Sequence, residues 1–83
     1  MYLTAACPYC QAAQRLLDKK GITDVETVRV DLDPARRAEM MQRSGRTSVP
    51  QIWIGGRHVG GYDELYALER AGALDRLLET ERT

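Results

Sequence analysis

The sequence predicts a small α/β domain with the element order β-α-β-α-β-β-α(-α), in which a mixed four-stranded sheet is flanked by helices. Three observations lead to this prediction. Apolar residues three and four positions apart follow Pro8, apolar and charged residues alternate over 28–32, and two extended segments flank a Gly-Gly pair at 55–56. A short strand before Pro8, the helix that begins there and the strand over 28–32 together form a βαβ unit with parallel strands. The length suits one domain, 1–83.

The first helix is expected to begin at Pro8 and to end at about Lys20, after a short extended segment over 1–4. Proline is favoured at the first helical position, because the N–H that it lacks would have no partner there. Gly21 suits the left-handed residue that follows a helix. Cys7 is therefore expected to be the N-cap.

Cys7-Pro8-Tyr9-Cys10 contains the only two cysteines of the sequence. Such a pair serves either metal binding or disulfide exchange, and a structural zinc needs four ligands, which two Cys and one His in one chain do not supply. At the N-cap, the sulfur of Cys7 faces backbone N–H groups and the positive end of the helix dipole, which stabilise a thiolate. Cys10 lies one turn further along the same face and is expected to be deeper and less ionised. The pattern favours disulfide exchange over two incidental thiols.

The second strand is predicted over 28–32, where three apolar residues alternate with two charged ones: Val28, Val30 and Leu32 with Arg29 and Asp31. A second helix is expected to follow from Pro34, with Asp33 as its N-cap and Gly45 just beyond its end. Its buried face is predicted to consist of small and sulfur-containing residues: Ala35, Ala38, Met41 and also Met40. Its arginines are predicted to form a solvated face: Arg36, Arg37 and Arg43.

A β-hairpin is predicted from the segments 51–54 and 57–60, because two extended runs joined by Gly-Gly favour a tight turn. A third helix is expected over 63–71, ended by Gly72. A last helix is predicted to pack on the domain through three leucines: Leu74, Leu77 and Leu78.

Three motifs in register over essentially the whole chain resemble the glutaredoxins of the thioredoxin superfamily, above all the small bacterial dithiol class. The motifs are Cys7-Pro8-Tyr9-Cys10, Thr47-Ser48-Val49-Pro50-Gln51-Ile52 and Gly60-Gly61-Tyr62-Asp63-Glu64-Leu65. The resemblance implies a thioredoxin-like fold. It also implies a glutathione-disulfide oxidoreductase that reduces protein disulfides and protein–glutathione mixed disulfides.

The same resemblance implies a set of site residues. Cys7 and Cys10 would be catalytic, and the glutathione-binding residues would be Tyr9, Ser48, Val49, Pro50, Gly61, Tyr62 and Asp63. The bond between Val49 and Pro50 is expected to be cis, which lets the backbone groups of Val49 pair with an extended peptide. Helix N–H groups near Asp63 would meet one glutathione carboxylate, and Asp63 itself the α-ammonium group.

The sequence departs from the family at several positions. Thr4 stands where a lysine usually meets the glycine-end carboxylate of glutathione, so affinity is expected to be lower unless Arg46 substitutes. Tyr62 replaces a common cysteine, and the first strand is expected to be shortened. His58 is interpreted as a surface or half-buried residue, and Trp53 as a core residue.

Composition limits the class of function. Twelve basic and 12 acidic residues give no net charge, which favours neither nucleic acid nor a membrane surface as partner. The sequence lacks an apolar run of roughly 18 residues and a signal-peptide pattern at its start, and two cysteines are too few for a disulfide scaffold. We therefore expect a cytoplasmic monomer that uses glutathione as co-substrate, needs no metal, and acts on glutathionylated or disulfide-containing proteins.

Two alternatives stay open from the sequence. One is a thioredoxin-like electron donor reduced by a flavoprotein reductase, against which the 61–63 motif argues. The other is a dimer that shares a [2Fe–2S] cluster through Cys7 and glutathione, which the stiffness of Pro8 disfavours. Brown colour on anaerobic purification would distinguish the cluster-binding form.

Overall fold

The computed structural model describes residues 1–22 and 25–82, with side chains described through Glu79. The elements follow in the predicted order. They are β1 (Tyr2–Leu3), α1 (Pro8–Lys19), β2 (Val28–Arg29), α2 (Pro34–Ser44), β3 (Ile52–Ile54), β4 (Arg57–Gly60), α3 (Tyr62–Arg70) and α4 (Leu74–Arg82). In the described part of the chain, no helix is both long enough and apolar enough to cross a membrane.

The four strands form two pairs that one bridge joins. β1 and β2 are parallel, with Tyr2 opposite Val28, and β3 and β4 form the predicted antiparallel hairpin. The N–H of Tyr2 donates to the carbonyl of Gln51 at 2.9 Å, and the N–H of Gln51 donates back to Tyr2 at 3.1 Å. Because Gln51 immediately precedes β3, this bridge gives the spatial order β2-β1-β3-β4 and places β1 inside the sheet.

The hairpin and the helix after it follow local rules. Gly55 has a φ of 63° and Gly56 does not share the positive value, as in a type II′ turn. Gly72, with a φ of 72°, ends α3 as expected, although α3 begins at Tyr62, one residue earlier than predicted.

The second strand is shorter than the alternating pattern predicts. β2 ends at Arg29, and the prediction of a strand reaching Leu32 is wrong, since Leu32 is 72% exposed. Two hydrogen bonds of 2.7 and 2.6 Å join the guanidinium of Arg29 to the carboxylate of Asp31. The N–H of Leu32 also donates to the carbonyl of Arg29 at 3.3 Å, so the chain turns here instead of extending.

Helix α2 begins and ends where the sequence predicts. The Oδ1 of Asp33 accepts the N–H groups of Ala35 at 3.1 Å and Arg36 at 3.3 Å, which caps the helix. Gly45 follows its last turn with a φ of 71°.

The buried face of α2 differs from the predicted one. Met40 is fully buried, but the other three residues assigned to that face are exposed: Ala35, Ala38 and Met41. The guanidinium of Arg43 lies 4.4 Å from the ring centroid of Trp53 and donates to the Oη of Tyr2 at 2.8 Å. Arg43 is exposed, as predicted, but because a guanidinium can cover an aromatic face, α2 also packs partly through this arginine.

Two hydrophobic clusters form the core. The larger is aliphatic and lies between the hairpin and helices α1, α3 and α4: Ala13, Leu17, Ile22, Ile52, Ile54, Leu65, Leu74 and Leu78. The smaller contains Tyr2, Val30 and Met40, with Trp53 packed against it. Trp53 is only partly buried, because its ring stacks at 4.5 Å on His58 near the surface. The prediction that Trp53 is a core residue is therefore met only in part.

Candidate active site

The first turn of α1 presents the sulfur of Cys7. Cys7 has extended backbone angles, φ −99° and ψ 111°, and is the N-cap of α1, as predicted. Its Sγ accepts the N–H of Cys10 at 3.3 Å, and its side chain is partly exposed. A partly exposed sulfur at a helix N-terminus is placed where an outside sulfur can reach it, as a nucleophile requires.

The second cysteine lies in a different environment. Cys10 is 1% exposed. Burial raises the pKa of the Cys10 thiol to about 11, and its hydrogen bond with Cys7 adds to the rise. Cys10 is therefore a thiol near neutral pH and lies deeper than Cys7, as the helical spacing predicts.

A loop before β3 forms the wall opposite Cys7. The bond between Val49 and Pro50 is cis, as expected from the resemblance. The carbonyl oxygen of Val49 lies 3.7 Å from the Sγ of Cys7 and can accept the S–H of that thiol. Ser48 precedes this pair and is exposed.

Hydrogen bonds of a buried glutamine, which the sequence analysis missed, fix the position of this loop. The side chain of Gln51 is fully buried, and its Nε2 donates to the carbonyl of Ser48 at 3.0 Å. Its Oε1 lies 2.9 Å from the Nε2 of His58, so that ring nitrogen carries the hydrogen. His58 is half-buried, as expected. Burial lowers its pKa, and the charges of Arg46 and Arg43 lower it further. A glutamine directly before the apolar strand β3 and a histidine within β4 are the signal that could have identified this hydrogen-bonded pair.

The start of α3 approaches the same loop closely. Gly60 has a φ of 117°, and a Cβ there would lie 2.6 Å from the Oε1 of Glu64. A Cβ on Gly61 would lie 3.4 Å from the carbonyl oxygen of Pro50. Gly60 is thus required by its positive φ and by the nearness of Glu64, whereas the contact of Gly61 shows that the N-terminus of α3 packs directly against the loop. Asp63 is exposed in the first turn of the helix.

Two tyrosines complete the ring of residues around Cys7. Tyr9 is 61% exposed, and its ring centroid lies 6.3 Å from that of the half-buried Tyr62. This contact joins the cysteine motif to the motif at the start of α3. The structure therefore brings all three sequence motifs together at one place.

Arg46, considered as a substitute for a lysine at the position of Thr4, already has an acidic partner. Thr4 is half-buried. Arg46, the substitute considered from the sequence, forms an ion pair with Glu64. The hydrogen bond from Arg46 lowers the pKa of Glu64, whose Oε1 also accepts the N–H of Gly61 at 3.3 Å. Arg46 is thus engaged at the base of α3.

Among the described residues, no three His, Cys, Asp or Glu side chains gather as a possible metal site. The chemistry that the geometry offers is that of one accessible sulfur nucleophile with a second thiol directly behind it. Such a pair can form a mixed disulfide with an outside sulfur and then resolve it.

Comparisons with known proteins agree with this geometry. The family model described as Glutaredoxin matches residues 1–59. A glutaredoxin of Pseudomonas aeruginosa is 55% identical over 78 residues, which are 94% of this chain and 92% of that protein. Glutaredoxin 3 of Escherichia coli strain K12 is 49% identical over 79 residues, which are 95% of this chain and 94% of that protein.

Two solved structures show the same architecture. The crystal structure of the buckwheat glutaredoxin–glutathione complex has a TM-score of 0.88 and 30% identity, covering 96% of this chain and 74% of that one. The solution structure of glutaredoxin from Brucella melitensis has a TM-score of 0.83 and 51% identity, covering 95% and 85%. These similarities confirm the predicted thioredoxin-like fold.

Proposed function

Because this chain belongs to the glutaredoxin family, we propose that Cys7 is the nucleophile and Cys10 the resolving thiol of its glutathione-dependent thiol–disulfide exchange. The activity class follows from the family, and glutathione is its co-substrate. The assignment of roles depends mainly on one observation. Cys7 is partly exposed at a helix N-terminus, whereas Cys10 is 1% exposed with a raised pKa.

Reduction of a protein–glutathione mixed disulfide needs Cys7 alone. The Cys7 thiolate attacks the glutathione sulfur, a new disulfide forms between them, and the protein sulfur leaves as a thiolate that takes a proton from water. The thiolate of a second glutathione then attacks the bound glutathione sulfur. This step releases the Cys7 thiolate and glutathione disulfide. The sulfur of the second glutathione is thereby oxidised from thiol to disulfide while the protein sulfur is reduced from disulfide to thiol, and the glutathione sulfur that came with the substrate stays in a disulfide throughout.

Reduction of a protein disulfide uses both cysteines. Cys7 attacks one sulfur and expels the other as a thiolate, which leaves the substrate bound to Cys7. Cys10 loses its proton, attacks the sulfur of Cys7 and expels the second substrate thiolate. The resulting disulfide between Cys7 and Cys10 is reduced by two molecules of glutathione, which become glutathione disulfide.

The glutathione site is assigned to seven residues around Cys7: Tyr9, Ser48, Val49, Pro50, Gly61, Tyr62 and Asp63. Support comes from their common location and from the chemistry of each group. The loop before β3 lies within 3.7 Å of the Cys7 sulfur, and the N-terminus of α3 offers N–H groups and the Asp63 carboxylate. These suit the backbone, carboxylate and ammonium groups of glutathione.

Further expectations concern domain organisation, oligomeric state, localisation and partners. We infer that residues 1–83 form one domain, that the protein works as a cytoplasmic monomer, and that its partners are glutathionylated or disulfide-containing proteins. The close approach of Gly61 to Pro50 and the joint packing of the hairpin with helices α1, α3 and α4 support one domain.

A coupled assay tests the roles of the two thiols. Reduction of a glutathionylated peptide by glutathione is measured in the wild type and in the Cys7→Ser and Cys10→Ser variants. Cys7→Ser should abolish the activity, because no nucleophile remains at the helix N-terminus. Cys10→Ser should retain it, while losing reduction of a protein disulfide. Loss of both activities in Cys10→Ser would mean that the resolving thiol is obligatory, and the one-cysteine mechanism would be wrong.

A further inference from the structure

A row of aromatic side chains leads away from Cys7 along the outer face of α3. The ring centroids of Tyr9 and Tyr62 lie 6.3 Å apart, and those of Tyr62 and Tyr66 lie 5.8 Å apart in a stacked arrangement. The guanidinium of Arg70 then lies 6.0 Å from the Tyr66 ring. We name these four residues the tyrosine ladder.

The outer half of the ladder is turned to solvent. Tyr66 is 45% exposed and Arg70 is exposed. Residues 62, 66 and 70 are four apart, so they share one face of α3. Leu65, which is fully buried, together with the partly buried Tyr62 and Leu68, packs α3 against the core. Tyr66 and Arg70 are exposed and take no part in that core packing.

Charge at the end of the ladder indicates what it could bind. Among residues whose side chains the structure describes, no carboxylate forms an ion pair with Arg70. The neighbouring acid on α3, Glu69, is instead paired with Lys20 at 2.7 Å. An exposed aromatic face followed by an unpaired guanidinium suits a polypeptide with an apolar side chain followed by an acidic one.

We propose that the tyrosine ladder docks the extended segment next to the reactive cysteine of a substrate protein, with an apolar side chain on Tyr66 and an acidic one at Arg70. This proposal rests on the proposed function, because the substrate cysteine must meet Cys7. The ladder is continuous with the cysteine motif through Tyr9. Its three steps of 6.3, 5.8 and 6.0 Å match about five residues of extended chain at roughly 3.3 Å each.

The size of the surface favours a transient peptide contact over a second copy of this chain. A stable protein interface buries about 800 Å² on each partner, far more than the faces of two or three tyrosines supply. A substrate, by contrast, must bind briefly and leave after the exchange. The extended segment beside a reactive cysteine meets this requirement.

The test compares a small and a peptide substrate. The small substrate is the mixed disulfide of glutathione with free cysteine, which cannot reach Tyr66. The peptides are glutathionylated on one cysteine and carry an aromatic residue about four positions away, followed by two glutamates, either before or after the cysteine. Matched peptides have lysines in place of the glutamates.

The variants are Arg70→Glu, Tyr66→Ala and Tyr66→Phe. The control is Arg57→Glu, which makes the same charge change on an exposed arginine at the far end of the hairpin. Arg70→Glu should raise the KM for the acidic peptide in at least one orientation by about three- to tenfold and lower it for the matched lysine peptide. Tyr66→Ala should raise the KM for both peptides by about threefold, and Tyr66→Phe should not.

The small substrate distinguishes a failure of the docking proposal from a failure of the proposed function. Its rate should change less than about twofold in every variant, because the expected contacts lie beyond glutathione. Peptide KM values in Arg70→Glu that match those of Arg57→Glu would overturn the docking role and leave the proposed function intact. Absence of wild-type activity on the small substrate would overturn both. A dimer in sedimentation velocity that Arg70→Glu dissolves would assign the surface to a second copy and also overturn the proposal.

Discussion

Cys7 and Cys10 lie one helical turn apart in two contrasting regions of the same site. Cys7 is partly exposed at the N-terminus of α1, and its sulfur accepts a backbone N–H. Cys10 is almost fully buried, and its pKa is raised to about 11. The difference shows how a single helix terminus gives two identical side chains different reactivities, one as an attacking sulfur and the other as a thiol held in reserve.

The largest expected effect of this contrast is in alkylation. At pH 7 a thiol with a pKa of about 11 is ionised to roughly one part in ten thousand, and only the thiolate reacts. Iodoacetamide should therefore modify Cys7 at least about a hundredfold faster than Cys10, as followed by peptide mass spectrometry. In denatured protein, the control, the two rates should become similar. Equal rates in the folded protein would mean that the two environments do not differ as described.

Stability at alkaline pH should sharpen the contrast. The fold disfavours the charged form of Cys10, so its pKa in the folded protein, about 11, exceeds the value of about 8.5 expected in the unfolded chain. Below about pH 8.5 the Cys10 thiol is neutral in both the folded and the unfolded protein, and its contribution to the free energy of unfolding is fully present. As pH rises from about 8.5 towards 11, the thiol ionises more readily in the unfolded chain, and this contribution is lost. The free energy of unfolding of the reduced protein should fall over this range, and less steeply in Cys10→Ala.

The matched variant Cys7→Ala controls for alkaline effects elsewhere in the chain. It retains Cys10 and should therefore keep the wild-type decline, measured by urea unfolding under reductant. Parallel curves for the wild type and Cys10→Ala would contradict the assignment of this decline to Cys10.

Local rules were sufficient to predict this contrast from the sequence. Pro8 at the first helical position fixes Cys7 as the N-cap, and three further residues place Cys10 one turn inward. The same kind of reasoning predicted Asp33 and Gly45 at the two ends of α2 correctly.

Long-range packing was not predictable in the same way. The sequence placed Arg43 on a solvated face, and Arg43 is exposed, but the sequence did not reveal that its guanidinium also packs on Trp53, which is ten residues away in the chain. The Arg29–Asp31 pair ends β2 early, which alternation alone does not reveal. The buried side chain of Gln51 finds partners in Ser48 and in His58 of β4, which its place in the sequence does not reveal.

The smallest expected effect concerns Thr4, three residues before Cys7. Its backbone lowers the pKa of Cys10, against the larger effect of burial, and Thr4 stands where the resemblance leads us to expect a lysine. Thr4→Lys should lower the KM for a glutathionylated peptide by up to about fivefold at low salt, the range of an exposed ion pair. Salt should reduce the gain, since screening acts over about 8–10 Å.

The uncharged variant Thr4→Gln separates charge from side-chain length and should leave the KM unchanged. A KM that Thr4→Lys does not lower would mean that another basic residue already holds the carboxylate. Arg46 is the first to test, because it lies at the base of α3 in a pair with Glu64.

The most direct test of the account is to identify which molecule becomes attached to Cys7. Reduced Cys10→Ser protein is mixed with a glutathionylated peptide in the absence of free glutathione, and the trapped adduct is mapped by mass spectrometry. The expected products are glutathione in disulfide linkage to Cys7 and free peptide thiol in equal amounts, because Cys7 attacks the glutathione sulfur. Peptide attached to Cys7, or no adduct on Cys7, would contradict the account.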